Sequence, residues 1–126
     1  MRCLEKETVV AMHALMTEAV GGAHGLRDAG LLESAVSGAF LTFGGEELYP
    51  TVREKAARLT HSLIANHAFF DGNKRIGILV MLTFLSLSGD PISPSDKALV
   101  DLGLGVARGE LGYEDILAFI NAHAAS

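Results

Sequence analysis

His67–Ser88 reads HAFFDGNKRIGILVMLTFLSLS, a polar and charged stretch followed directly by the most apolar run of the chain. The apolar run is longer than a strand requires and ends at Gly89, so it predicts a helix from about Asn73 to Ser88. A helix apolar on all sides is a buried central one. Lys74 and Arg75 then fall in its first turn, facing the positive end of the macrodipole. That placement costs about 0.3–1 kcal/mol per charge unless an anion binds there.

On either side of this stretch the apolar residues recur at helical spacing. Val9, Met12, His13 and Met16 form one stripe, ended by Gly21-Gly22. Asp28 reads as the N-cap of a second helix carrying Leu31, Leu32, Ala35, Val36 and Phe40. The segment LTFGGEELYP, Leu41 to Pro50, breaks the pattern, and its Gly44-Gly45 pair predicts a short hairpin or ordered loop. A third helix begins near Thr51 with Val52, Ala56, Leu59 and Leu63 on one stripe, and His67 is the next position on it. Ser93-Pro94 signals a helix start, running to about Arg108. Beyond Gly109 and Gly112 a last helix carries Tyr113, Ile116, Leu117 and Ile120. The expected fold is all-α: one compact domain, residues 1–126, with about six helices around the buried one and a short flap.

Composition narrows the function. A chain of 126 residues, 49% of them apolar, fits one globular domain. The formal charge of −5 and the lack of a Lys/Arg stripe argue against direct binding to nucleic acid. Cys3 is the one cysteine, which excludes an intrachain disulfide or a cysteine-based zinc site and fits a reducing compartment. MRCLEKET lacks the apolar core of a signal peptide, and Ile76–Leu87 is too short to span a bilayer. A cytoplasmic protein with no membrane partner is expected.

The start of a buried helix offers unpaired N–H groups and a partial positive charge, hence an anion site. Gly72 permits close backbone approach. Asn73 either holds a phosphate oxygen or orders the loop. Lys74 supplies charge, and Arg75 adds a planar fork suited to phosphate. Asp71 is an odd companion for a bare anion, but makes sense if Mg²⁺ bridges it to phosphates. His67 is the nearby group able to remove a proton at neutral pH. Together they describe transfer from a nucleoside triphosphate to a hydroxyl.

Each residue also has an ordinary role available. His67 alone reads as a buried capping histidine, Asp71-Gly72 as a turn, and Lys74 and Arg75 as surface charges. Phe69 and Phe70 read as loop anchors, and Met12, Met16 and Met81 as core filler. For all of these to coincide beside an apolar helix is less economical than a single site. His61 and His67 are six apart, which is not the i, i+4 pair of a helical metal hydrolase.

The stretch resembles the signature of the Fic/Doc family, HPFx[DE]GNGRxxR. His67, Phe69, Asp71, Gly72, Asn73 and Arg75 match it, while Ala68, Lys74 and Ile78 depart. Lysine at position 74 is similar to the Doc toxin branch, HxFx[ND][AG]NKR, and GLRDAGLLESAV, Gly25 to Val36, looks like that branch's early segment. The resemblance implies a toxin of a toxin–antitoxin module, a kinase using ATP and Mg²⁺ that phosphorylates a threonine of translation elongation factor Tu. It implies His67 as base, Asp71 as metal ligand, and Gly72, Asn73, Lys74 and Arg75 as the phosphate cradle. LTFGGEELYP is the candidate for the family's target-docking flap. The family's inhibitory helix, [ST]xxxE[GN], is not found; TFGGEE, Thr42 to Glu47, comes nearest. Restraint is therefore expected from an antitoxin bound as a helix in a groove, walled by the first helix and the loop Gly21 to Gly25. Two other readings stand beside this one: a Fic-type adenylyltransferase, which the intact Asp71-Gly72-Asn73 keeps open, and a non-catalytic phosphate- or partner-binding module.

Overall fold

The apolar run is a helix, and the other helices are arranged around it. The computed structural model describes residues 4–124, so Cys3 lies outside the described residues. In chain order the elements are α1 (Lys6–Val20), α2 (Ala29–Ser37), a 3-10 turn (Gly38–Phe40), β1 (Thr42–Phe43) and β2 (Glu46–Glu47). Then follow α3 (Val52–Asn66), α4 (Asn73–Leu87), α5 (Asp96–Ala107) and α6 (Tyr113–His123). The all-α expectation holds. Among the described residues no helix is long and apolar enough to cross a membrane.

The helix starts follow local chemistry. Asp28 caps α2 by accepting from the Leu31 N–H at 3.0 Å, as its position predicts. Thr51 caps α3 in the same way, through the Glu54 N–H. The start of α5 differs from expectation: Ser95, not Ser93, is its N-cap and accepts from the Ala98 N–H. Tertiary contacts override the Ser-Pro signal. Ile92 pairs with Ala124, and the Ser93 N–H donates to the His123 carbonyl, so this segment stays extended against the chain end.

Gly44 and Gly45, both with positive φ, make the two-residue turn between β1 and β2. This hairpin is anchored at the beginning of α3. The Lys55 side chain, 1% exposed, donates to the Tyr49 carbonyl and pairs with Glu47 at 2.9 Å. The anchor lies at the opposite end of α3 from His67.

α4 packs against α3, α5 and α1. Its Ile76, Val80, Met81, Phe84 and Leu85 join Leu59, Leu63 and Ile64 of α3 and Ile116 and Ile120 of α6 in the core. One flank departs from the all-round burial expected: Ile78, Leu79 and Leu82 are half-buried and face a groove. α3 and α4 approach closely at Gly77, where a Cβ would meet Ile64 Cγ1 at 2.6 Å and the Thr60 carbonyl at 3.3 Å. Gly77→Ala therefore sets a helix-propensity gain of up to about 1 kcal/mol against overpacking of about 1–3 kcal/mol. We expect net destabilisation, read as a lower urea midpoint; an unchanged or higher midpoint would show that Ile64 repacks freely.

Candidate active site

α3 ends because His67 adopts the left-handed conformation, φ 51° and ψ 49°. This turn takes the ring off the buried stripe where periodicity had placed it. His67 is exposed and lines a cleft of about 620 Å³ with Gly21, Gly22 and Asp71 to Arg75. Among the described residues no hydrogen bond holds its ring, but its backbone is held firmly. Arg27 Nε donates to the His67 carbonyl at 2.8 Å, and the N–H groups of Arg27 and Asp28 both donate to the Ala68 carbonyl. Leu26 pairs with Phe69, and the Phe70 N–H donates to the Gly25 carbonyl. Residues 25–28 thus run as a backing strip along residues 67–70.

Asn73 resolves its two possible roles in favour of the loop. Its side-chain Oδ1 accepts from the Phe69 N–H at 3.1 Å and its Nδ2 donates to the Phe69 carbonyl at 3.0 Å. The amide is spent inside the protein, and what Asn73 offers a ligand is its backbone N–H. Phe69 is the loop anchor expected, buried and stacked on the His13 ring at 3.9 Å. Phe70 is not: it is 63% exposed, turned outward over Gly25.

Gly72 is the N-cap of α4, with φ 77° and no side-chain cap. The positive φ favours glycine here, and a Cβ would stand in tight contact, 3.0 Å from Met16 Cε and 3.4 Å from His13 Nε2. The first intrahelical bond runs from the Ile76 N–H to the Gly72 carbonyl, leaving the N–H groups of Asn73, Lys74 and Arg75 at the open helix end. Lys74 and Arg75 are exposed and form no ion pair among the described residues.

The Asp71 carboxylate accepts from the Ala23 N–H at 3.1 Å and from the Gly72 N–H at 2.8 Å. These two bonds, helped by the nearby Arg75 charge, hold its carboxyl below its ordinary value. Among the described residues no group of three or more His, Cys, Asp or Glu side chains is placed to hold a metal ion. A lone exposed carboxylate beside two unpaired cations suits a magnesium ion that takes its other ligands from phosphates and water, not from a protein cage. The expected site residues His67, Asp71, Gly72, Asn73, Lys74 and Arg75 all line this one cleft.

Three contributors escape sequence reading. His13 has the spacing of a core position, Arg27 acts through backbone carbonyls, and Ala23 contributes only its amide. Beside the cleft, and sharing Lys74 and Arg75 with it, runs an apolar groove of about 500 Å³. Its walls are Met16 and Val20 of α1, Ile78 and Leu82 of α4, and Leu99 and Val100 of α5. α1 lines this groove, whereas Gly21 and Gly22 line the cleft.

Residues 3–85 match the Fic/DOC family. A protein described as "Toxin Doc", from Mycolicibacterium smegmatis, is 36% identical over 98% of this chain and 94% of its own length. "Protein kinase doc" of Escherichia phage P1 is 28% identical over 92% of this chain and 90% of its own.

Because both Asp71 bonds favour the ionised form, the tie to the 21–25 loop is complete above the ordinary carboxyl value of 3.8. It is lost as pH falls through the lowered value. The amide-proton shifts of Ala23 and Gly72 are expected to titrate together with a midpoint below 3.8. A midpoint above 3.8 would remove these bonds as the cause of the shift.

Proposed function

The chain belongs to the Fic/DOC family, and we propose that it is a toxin kinase that moves the γ-phosphoryl group of Mg-ATP to a protein hydroxyl. The observation that carries this reading is the pair Lys74 and Arg75, exposed and, among the described residues, without an ion pair in the first turn of α4, on the same cleft as His67. Cations at that end of a helix are explained by an anion held there.

In this reading the backbone N–H groups of Asn73, Lys74 and Arg75, with the Lys74 and Arg75 side chains, hold the phosphates, and Gly72, lacking a Cβ, lets them approach. His67 takes the proton of the incoming hydroxyl, whose oxygen bonds to the γ-phosphorus as the bond to ADP breaks. Magnesium would bring charge neutralisation between Asp71 and the phosphate oxygens. The target is a threonine of elongation factor Tu, as the likeness to the Doc branch implies, and its modification stops translation in the cytoplasm.

Lys74 is the residue on which γ- rather than α-phosphorus chemistry turns. Its Cβ lies 3.8 Å from where a Gly103 Cβ would be, on the α5 side of α4, and in this reading its side chain takes space that a glycine would leave for phosphates. The phage relative's description as a protein kinase supports the same choice. Adenylyl transfer is the second reading, favoured by the intact Asp71-Gly72-Asn73 and weakened by Ile78 in place of the family's last arginine.

An antitoxin fits the apolar groove as an amphipathic helix, its apolar side on Val20, Leu82 and Val100 and a carboxylate near Lys74 and Arg75. Val100→Asp is expected to abolish capture of a co-expressed antitoxin while leaving transferase activity intact. Retained capture would move the partner off this groove.

The deciding experiment gives the protein ATP labelled at the α or the γ position together with purified elongation factor Tu or a cell extract. We expect γ label alone to reach protein. His67→Ala should lower transfer about 10²–10⁴-fold with ATP affinity nearly unchanged, and Lys74→Gly should sharply reduce γ transfer. Label from the α position would make the chain an adenylyltransferase; no transfer of either label would leave a binding module.

A further inference from the structure

α1 carries a buried histidine that is occupied entirely with the motif loop. His13 is 3% exposed. Its ring lies parallel to Phe69, at 3.9 Å and 7°, and its Nε2 is 2.8 Å from the Asp71 carbonyl oxygen. A carbonyl only accepts, so Nε2 must carry the proton. The backbone at His13 is itself fixed from one turn on, where Thr17 Oγ1 donates to the His13 carbonyl at 2.9 Å.

The consequence passes through one peptide plane. In a trans peptide the C=O and the following N–H point in opposite directions. Drawing the Asp71 carbonyl inward to His13 therefore turns the Gly72 N–H outward, and there it meets Asp71 Oδ1 at 2.8 Å. The other carboxylate oxygen is taken by the Ala23 N–H. The orientation of the Asp71 carboxylate is thus set by His13 from behind and by two amides in front. Phenylalanine at position 13 keeps the stack but cannot make the bond, and the space at Gly72 is bounded by this same Nε2.

We propose that His13 is a positioning residue for Asp71: it fixes the Asp71–Gly72 peptide so that the carboxylate is presented to the cleft in one orientation. Its consequence for Mg²⁺ rests on the reading of Asp71 as the metal carboxylate, whereas its consequence for the loop does not.

Three measurements test it. In wild-type protein the ring nitrogen shifts of His13 should report the Nε2–H tautomer; an Nδ1–H ring overturns the proposal whatever any variant does. His13→Phe keeps the aromatic stack and removes the donor, and His13→Gln restores a donor of similar reach without the ring. In His13→Phe we expect amide exchange at Ala23 and Gly72 to quicken at least about tenfold. The Mg²⁺ concentration giving half-maximal ATP binding should rise about 10–100-fold, as when other outer-shell partners are lost. Maximal transfer at saturating Mg²⁺ should fall much less. His13→Gln should recover both readouts to within a few-fold.

Wild-type exchange in His13→Phe would overturn the proposal, and so would His13→Gln behaving like His13→Phe, since stacking alone would then hold the loop. If His13→Phe does not fold, the tautomer and the exchange of His13→Gln decide. Quickened exchange with unchanged Mg²⁺ dependence would leave His13 positioning Asp71 and would refute the metal role of Asp71 instead.

Discussion

The candidate site depends on one side-chain amide. Asn73 closes on both the N–H and the C=O of Phe69, four residues earlier, and so fixes the short loop between two antiparallel core helices. Buried and nine-tenths shielded from water, these two bonds face little competition from solvent. Because the loop is pinned there, Phe69 reaches the His13 ring, Gly72 turns with positive φ, and His67 and Asp71 emerge on the same side. A ligand-binding loop would ordinarily be among the most mobile parts of a fold. Here it carries the hydrogen-bond density of an element, with residues 25–28 backing it from outside.

That economy explains which parts of the structure were legible in the sequence. Helix existence was readable wherever apolar spacing and a capping side chain agreed, as at Asp28 and Thr51. The glycine pair of the hairpin was readable because a two-residue turn of that type demands positive φ at both positions. The start of α5 was not, because the local Ser-Pro signal competes with pairing to Ala124, over thirty residues away and invisible to any window. His67 stands just past the helix end, as the spacing implies, but not on the buried stripe, since its left-handed turn takes the ring off that face. His13 and Arg27 were missed for a common reason: both act on backbone carbonyls, and a carbonyl has no residue type for a pattern to reveal.

The two helix ends that meet at the loop make the remaining charges informative. α3 presents carbonyls with partial negative charge, and Arg27 sits on them, donating to the His67 carbonyl from Nε and more weakly to that of Asn66 from Nη2. This placement follows the dipole and needs no ligand to account for it. α4 presents N–H groups with partial positive charge, and there the chain places Lys74 and Arg75, against the dipole. Neither cation has an acidic partner among the described residues; the acidic side chain beside them, Asp71, spends both oxygens on amides. A fold that satisfies one helix end with a cation and loads the other with two gives up about 0.6–2 kcal/mol of stability there. The core of α4 tolerates that loss easily, since one buried leucine or isoleucine contributes about 1.5–3 kcal/mol. The excess positive charge is therefore tolerated and only partly offset, by the Asp71 carboxylate near Arg75, and it lies where the cleft and the apolar groove join. An anion entering either cavity meets the same two side chains.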